Sequence, residues 1–136
     1  MKSTLIDAGP IIALFDGSDQ YHQQVLRFME GFEGSLISSW PVVTEVCYML
    51  DFNKNTQLNF LDWIIEGGIE IFNIEQSYII GIRNRMDKYS NLPTDLADAS
   101  LLEIAEARNL DSIITLDNDF DVYRINGKRS LTNVLS

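Results

Sequence analysis

The chain has 136 residues, 46% of them hydrophobic, which is enough for one globular domain with its own core. Its one cysteine, Cys47, excludes an internal disulfide, and no apolar run approaches the roughly 20 residues of a membrane-spanning helix. The formal net charge of −10 excludes binding of nucleic acid through an overall basic surface, so a role on RNA would require bound cations and local basic residues. We therefore expect a single domain over residues 1–136 and a cytoplasmic location.

The first third of the chain predicts alternating strands and helices. Residues 3–6 form a short apolar strand that ends in Asp7, where a turn and a helix start follow. Apolar residues at helical spacing then predict a helix over 19–31, and a brief strand is indicated at 36–37. The segment Ser39-Trp40-Pro41 opens the next helix, because a serine cap with proline just inside is typical of a helix start.

The same alternation continues to the end of the chain. In chain order, the patterns predict a helix closed by Gly67-Gly68, a strand over 69–71, a helix over 75–88, a helix over 95–108, a strand over 112–115 and a loop with a short helix over 116–124. Gly81 weakens the prediction of the helix over 75–88, because glycine lowers helix stability. We assign no element to the tail.

Strands that alternate with helices predict an α/β fold, in which a central parallel β-sheet is flanked by helices on both faces. In such folds, ligands bind beyond the carboxyl ends of the strands. Asp7 follows the first strand and Asp117 follows the strand over 112–115. The two acids therefore fall where a binding site of this fold class is expected.

Acidic side chains stand at the ends of four predicted elements. Cleavage of a phosphodiester by metal ions needs carboxylates clustered around one or two divalent cations, and magnesium prefers such hard oxygen ligands. The candidates are Asp7, Glu45, the pair Asp95 and Asp98, and the pair Asp117 and Asp119. Asp95 and Asp98 are three residues apart and therefore share one helical face. Taken together, the set predicts a magnesium or manganese site.

Each of these acids also has an ordinary structural interpretation. Asp7, Asp117 and Asp119 could cap helices that follow strands. Glu45, Asp95 and Asp98 could complement the positive end of a helix in its first turn. No single acid indicates a catalytic site by itself. Only the occurrence of all of them in this order along the chain favours one.

Four motifs resemble the PIN-domain family, particularly its VapC-type toxins. They are Leu-Ile-Asp-Ala-Gly-Pro over 5–10, Trp-Pro-Val-Val-Thr-Glu-Val over 40–46, Pro-Thr-Asp-Leu-Ala-Asp-Ala-Ser-Leu over 93–101 and Thr-Leu-Asp-Asn-Asp-Phe over 115–120. The resemblance extends from about Thr4 to Arg124 and is most specific around Asp98 and Asp117. It implies a PIN-like three-layer α/β/α fold, a site for Mg²⁺ or Mn²⁺ and cleavage of RNA. It also implies a cognate antitoxin protein as partner, and a homodimer.

The resemblance assigns roles residue by residue. It implies that the catalytic, metal-binding acids are Asp7, Glu45, Asp98 and Asp117, and that the auxiliary residues are Asp95, Thr115 and Asp119. One position departs from the family pattern, because Gly9 stands where many relatives have serine or threonine. The backbone amide can still donate there, so we expect a small effect.

The expected chemistry is hydrolysis by water, since a bound divalent cation lowers the pKa of water and replaces a dedicated protein base. The only histidine, His22, excludes a two-histidine mechanism within one chain. Cys47 is interpreted as a small core residue rather than as a nucleophile. Basic residues that could contact RNA phosphates lie in two segments, one with Arg83, Arg85 and Lys88 and the other with Arg124, Lys128 and Arg129. Tyr89 or Tyr123 could stack on bases. A solvated basic face explains them equally well.

Three alternatives stay open at this point. A catalytically inactive PIN-like module could bind a partner only, although all the core acids are present. A solitary RNA-processing nuclease could work without an antitoxin. A receiver-like domain also gathers acids around magnesium, but it requires a lysine after a late strand, and no predicted strand end here provides one.

Overall fold

A parallel five-stranded sheet forms the centre of the computed structural model, which describes residues 2–126 and 128–135. Residues 1, 127 and 136 of the predicted domain lie outside the described residues. The strands are β1 (Thr4–Ile6), β2 (Leu36–Ser38), β3 (Glu70–Ile71), β4 (Ser112–Ile114) and β5 (Thr132–Asn133). They lie in the order β3-β2-β1-β4-β5, and every neighbouring pair is parallel.

Helices connect the strands. They are α1 (Ala8–Phe15), α2 (His22–Gly31), α3 (Trp40–Met49), α4 (Lys54–Ile65), α5 (Ile79–Lys88) and α6 (Leu96–Arg108). Two short 3-10 helices, Gln76–Tyr78 and Asn118–Asp121, precede α5 and follow β4. This is the predicted α/β class, a central parallel sheet with helices on both faces in the three-layer α/β/α arrangement. No helix in the described parts of the chain is long and apolar enough to cross a membrane.

The core lies on the central strands of the sheet. Leu5 of β1 is in register with Ile37 of β2 and with Ile113 of β4, and all three side chains are fully buried. A strand buried on both faces has consecutive apolar residues, and here these are the pairs Leu5-Ile6 and Ile113-Ile114. The sequence pattern therefore identified the strands at the centre of the sheet correctly.

Several helix starts follow from local chemistry. The hydroxyl of Ser39 accepts from the amide of Val42, with Pro41 in the first turn of α3, as predicted. Gly81 lies inside α5 without interrupting it. A Cβ at this position would approach the carboxylate of Glu103 on α6, a flexible group that could move aside, so α5 and α6 pass close to each other here.

The sequence predicted no element in the tail, and the structure has β5 there. The strand is only two residues long, with Thr132 opposite Ser112 and Asn133 opposite Ile113. Apolar neighbours of β5, Leu131 and Leu135, are buried. A strand this short carries too few residues for its alternation to be recognised in sequence.

Candidate active site

The strand order places a crevice at the carboxyl ends of β1 and β4. The chain proceeds from β1 outward to β2 and β3 on one side, and β4 and β5 lie on the other side. The crevice between β1 and β4 is therefore a topological switch point, where α/β proteins bind ligands. Asp7 directly follows β1, and Asp117 lies three residues after β4. A receiver-like domain has the order 2-1-3-4-5, so the observed order excludes that alternative.

Three acids converge at this crevice. One carboxylate oxygen from each of Asp7, Asp98 and Asp117 lies within 4.8 Å of the other two. Asp7 and Asp98 are buried, and Asp117 is half-buried. Asp98 comes from the first turn of α6, so that the start of this helix completes the site that the two strands begin.

Backbone amides hold each of these carboxylates in place. Asp7 caps α1 by accepting from the amide of Ala8 at 2.8 Å, and Asp117 accepts from the amide of Asp119 at 2.9 Å. Asp98 accepts from the amide of Asp95 at 3.3 Å, while Asp95 accepts from the amide of Asp98 at 2.9 Å. This reciprocal pair is a capping box. The structural interpretation of these acids is therefore confirmed, and it does not conflict with a catalytic one.

Thr115 joins two of the acids. Its hydroxyl donates to the second carboxylate oxygen of Asp7 at 3.0 Å and accepts from the amide of Asp117 at 2.9 Å. Asn133 holds the backbone of Thr115 from the neighbouring strand β5. The sequence analysis did not identify Asn133. The only signal was the apolar residues around it, Leu131, Val134 and Leu135, which could have indicated a strand.

The two buried acids, Asp7 and Asp98, have raised pKa values. Burial is the largest cause that raises the pKa of Asp7 from 3.8 to about 6, while hydrogen bonds from Ala8 and Thr115 oppose the rise. Burial, followed by repulsion from Asp7 and Asp95, raises the pKa of Asp98 to about 8. Within residues 2–126 and 128–135, no lysine, arginine or histidine forms an ion pair with Asp7, Asp98 or Asp117. The cluster therefore lacks a protein counter-charge among those residues.

A divalent cation fits this donor set. The three acids offer hard oxygen ligands, which Mg²⁺ and Mn²⁺ prefer, and Mg²⁺ needs only a few carboxylates because it keeps several waters. Buried carboxylates that repel one another are stable in the charged form only when a cation compensates them. The residues present thus match the predicted cofactor in their chemistry.

The other predicted acids lie around this group. Glu45, on α3, is half-buried and lies opposite Asp95; burial and then this neighbouring carboxyl raise its pKa. Its charge also acts on Asp7, although Glu45 is not one of the three mutually close acids. Asp119 is half-buried and contributes its amide to Asp117. The predicted core is therefore a close set of three, with Glu45 and Asp95 at its border.

The structure corrects the predictions for base stacking. Tyr89 and Tyr123 are 8% and 1% exposed, and their rings contact each other edge to face with centroids 4.9 Å apart. The hydroxyl of Tyr123 is hydrogen-bonded to Thr94, and burial raises its pKa to about 12. Both rings belong to the core and have no free face for a base, so this prediction was wrong.

The four basic residues predicted to contact RNA differ in their environments. The guanidinium of Arg85 pairs with Glu103 and Glu106, and its side chain is 13% exposed. That of Arg124 donates to the backbone carbonyls at positions 121, 122 and 123. Arg83 and Lys88 are exposed. Arg85 and Arg124 thus make internal contacts. Arg83 and Lys88 remain candidates for contacting RNA.

Comparisons with known proteins agree with this fold. The family model of the PIN domain matches residues 4–126. A comparison with curated proteins found no match. Among solved structures, the chain resembles VapC20 of Mycobacterium tuberculosis, described as a sarcin-ricin loop cleaving toxin, with a TM-score of 0.82 at 12% identity over 93% of this chain and 99% of that one. A toxin-antitoxin complex from Klebsiella pneumoniae matches with a TM-score of 0.65 at 22% identity, over 97% of this chain and 100% of that one. With a family model that covers most of its length, the chain belongs to the PIN-domain family.

Proposed function

We propose that the protein is a ribonuclease that depends on Mg²⁺ or Mn²⁺ and hydrolyses phosphodiester bonds. The observation that carries this proposal is the group of buried Asp7 and Asp98 with half-buried Asp117, in which one carboxylate oxygen of each lies within 4.8 Å of the others. No lysine, arginine or histidine among the described residues forms an ion pair with them. Membership in the PIN-domain family supports RNA as the substrate. A module that only binds a partner would not require three carboxylates so close together without a counter-charge.

In this proposal, Asp7, Asp98 and Asp117 hold the cation, with Glu45 as the fourth acid. When bound, the metal lowers the pKa of water and stabilises charge on the phosphate. Thr115 keeps Asp7 oriented through the bond from its hydroxyl, and the amide of Asp119 does the same for Asp117. The remaining auxiliary acid, Asp95, caps α6 and so fixes the turn that presents Asp98. No protein nucleophile is required.

We further propose that the ribonuclease is the toxin of a toxin–antitoxin pair in the cytoplasm. The fold similarity to VapC20 and to the toxin-antitoxin complex supports this assignment. The cognate partner would be a small antitoxin protein, and a gene for it directly upstream would favour the pair over a solitary RNA-processing nuclease. We also propose a homodimer; Tyr48, Met49 and Phe52, which are more than half exposed at the end of α3, are side chains typical of protein interfaces.

The decisive experiment is cleavage of RNA by the purified protein with Mn²⁺, Mg²⁺ or chelator. Wild-type protein should cleave only with metal, and Asp98→Asn should be inactive while it stays folded. Asp62→Asn is the matched control, because it removes the same charge from an exposed position on α4 and should keep full activity. Equal inertness of wild type and Asp98→Asn on a broad RNA panel would favour the binding-only module. Equal activity of the two would refute the assigned site.

A further inference from the structure

The side chain of Asn133 extends the sheet beyond the last residue of β4. Its carbonyl oxygen accepts from the amide of Thr115 at 3.3 Å, and its side-chain NH₂ donates to the carbonyl of Thr115 at 2.9 Å. The same oxygen accepts from the amide of Leu135 at 3.2 Å. Asn133 thus bonds both backbone groups of Thr115, as a neighbouring strand would.

Burial explains why this position requires such a side chain. Thr115 is 1% exposed, and β4 has already ended at Ile114, so its amide and carbonyl need partners inside the protein. A buried backbone group without a partner costs about as much as a lost hydrogen bond. Asparagine carries a donor and an acceptor on one planar group. Aspartate would lose the donor, and alanine would lose both.

The bonds to Thr115 reach the acidic group in one further step. The hydroxyl of Thr115 donates to Asp7 and accepts from the amide of Asp117, so its position determines how both acids are oriented. A rotation or shift of the Thr115 backbone would move the hydroxyl away from Asp7. Asn133 is the side chain that bonds both backbone groups of Thr115 and would therefore oppose this shift.

We propose that Asn133 is a positioning residue of the metal site and acts through Thr115. This inference rests on the proposed function, since it concerns metal binding by Asp7 and Asp117. The family model ends at residue 126, so the assignment adds to the site a residue that lies outside the matched region. It also gives β5 a role at the site, although β5 contributes no acid to it.

The test is the affinity for Mn²⁺, measured by isothermal titration calorimetry on folded protein. Partners that orient metal ligands typically contribute 10- to 100-fold to affinity; because Asn133 acts through one intermediate, we expect Asn133→Ala to weaken binding by about tenfold. Thr132→Ala is the matched control on the same strand, and it should keep wild-type affinity because its side chain is exposed. If Asn133→Ala does not fold, Asn133→Gln takes its place and should weaken binding by a few-fold.

A double-mutant cycle separates positioning from general stabilisation. Thr115→Val removes the hydroxyl that joins the acids, so Asn133→Ala should weaken Mn²⁺ binding by less than about twofold in that background. A merely structural role would lower stability in both backgrounds and leave the affinity of the folded protein unchanged; that result would overturn the inference alone. Absence of Mn²⁺ binding by wild-type protein would overturn the proposed function, and this inference with it.

Discussion

Replacing Asp98 with asparagine should stabilise the metal-free protein and abolish its response to metal. The asparagine retains an oxygen that can accept from the amide of Asp95, so the capping box survives, while the ionisable carboxyl is removed. The raised pKa of Asp98, about 8 against an ordinary 3.8, means that the folded state resists ionisation of this carboxyl. The unfolded state has no such resistance, and the carboxyl therefore destabilises the fold at neutral pH.

The magnitude follows from the same pKa. Each pKa unit corresponds to about 1.4 kcal/mol, which sets an upper limit of roughly 5 kcal/mol near pH 7.5. Water and salt reach the half-buried side of the site and screen part of the repulsion, so we expect a gain of about 2–3 kcal/mol in the free energy of unfolding. For a chain of this size, that is a rise of roughly 7–10 °C in Tm.

The assay is thermal unfolding with chelator and then with Mg²⁺. The folded pKa lies above the unfolded pKa, so the folded state holds more protons between about pH 4 and pH 8, and wild-type stability should fall as pH rises through this window. The advantage of Asp98→Asn should therefore disappear near pH 4. Mg²⁺ should raise the Tm of wild type and of the control Asp62→Asn, but not that of Asp98→Asn. The control Asp62→Asn should change stability by less than about 0.5 kcal/mol. An Asp98→Asn protein no more stable than wild type in chelator at pH 7.5 would refute the reasoning.

Three further outcomes are expected. The affinity for Mn²⁺, measured by calorimetry, should increase from about pH 5 to pH 8, because the raised pKa values of the two buried acids make protons compete with the metal; a flat profile would contradict the shifts. Gly9→Ser should leave cleavage unchanged, because an added Cβ would lie 3.6 Å from Leu116, an ordinary contact, and a large gain in rate would show that the missing hydroxyl matters. Arg83→Glu with Lys88→Glu should raise KM for RNA. It should also lower Tm slightly, because it removes the ion pair of Arg83 with Asp87 and places an acid in the last turn of α5. Normal RNA affinity would exclude this patch.

The central part of the site could be predicted from sequence because its residues stand at recognisable ends of elements. Asp7 and Asp117 follow apolar strands, and Asp98 follows a clear helix start at Asp95. Parallel strands bring their carboxyl ends to one edge, so position along the chain predicted that Asp7 and Asp117 lie at the edge where ligands bind. That β1 and β4 are neighbours follows only from the structure. The four motifs around these acids, which resemble the PIN-domain family, supported the same site.

The parts that could not be predicted depend on contacts distant in sequence. Asn133 pairs with Thr115 across the sheet, and a two-residue strand leaves no periodic signal. The burial of Tyr89 and Tyr123 depends on the contact between their two rings, which the local sequence pattern around each residue does not reveal. The ion pairs of Arg85 likewise depend on the packing of α5 against α6, which brings together residues 18 and 21 positions apart.

The bond between Thr115 and Asp7 joins residues 108 positions apart. On the ribosome, the first acid emerges early, but its hydrogen-bonding partner Thr115, just after β4, is synthesised only after most of the other elements. Until Asp98 and then Asp117 have also been synthesised, the aspartate after β1 is one carboxylate on a nascent chain, without the two neighbours of its site. If the protein is a toxin, its own synthesis therefore includes a long interval in which the growing chain cannot yet cut RNA, and an antitoxin would have only the finished fold to neutralise.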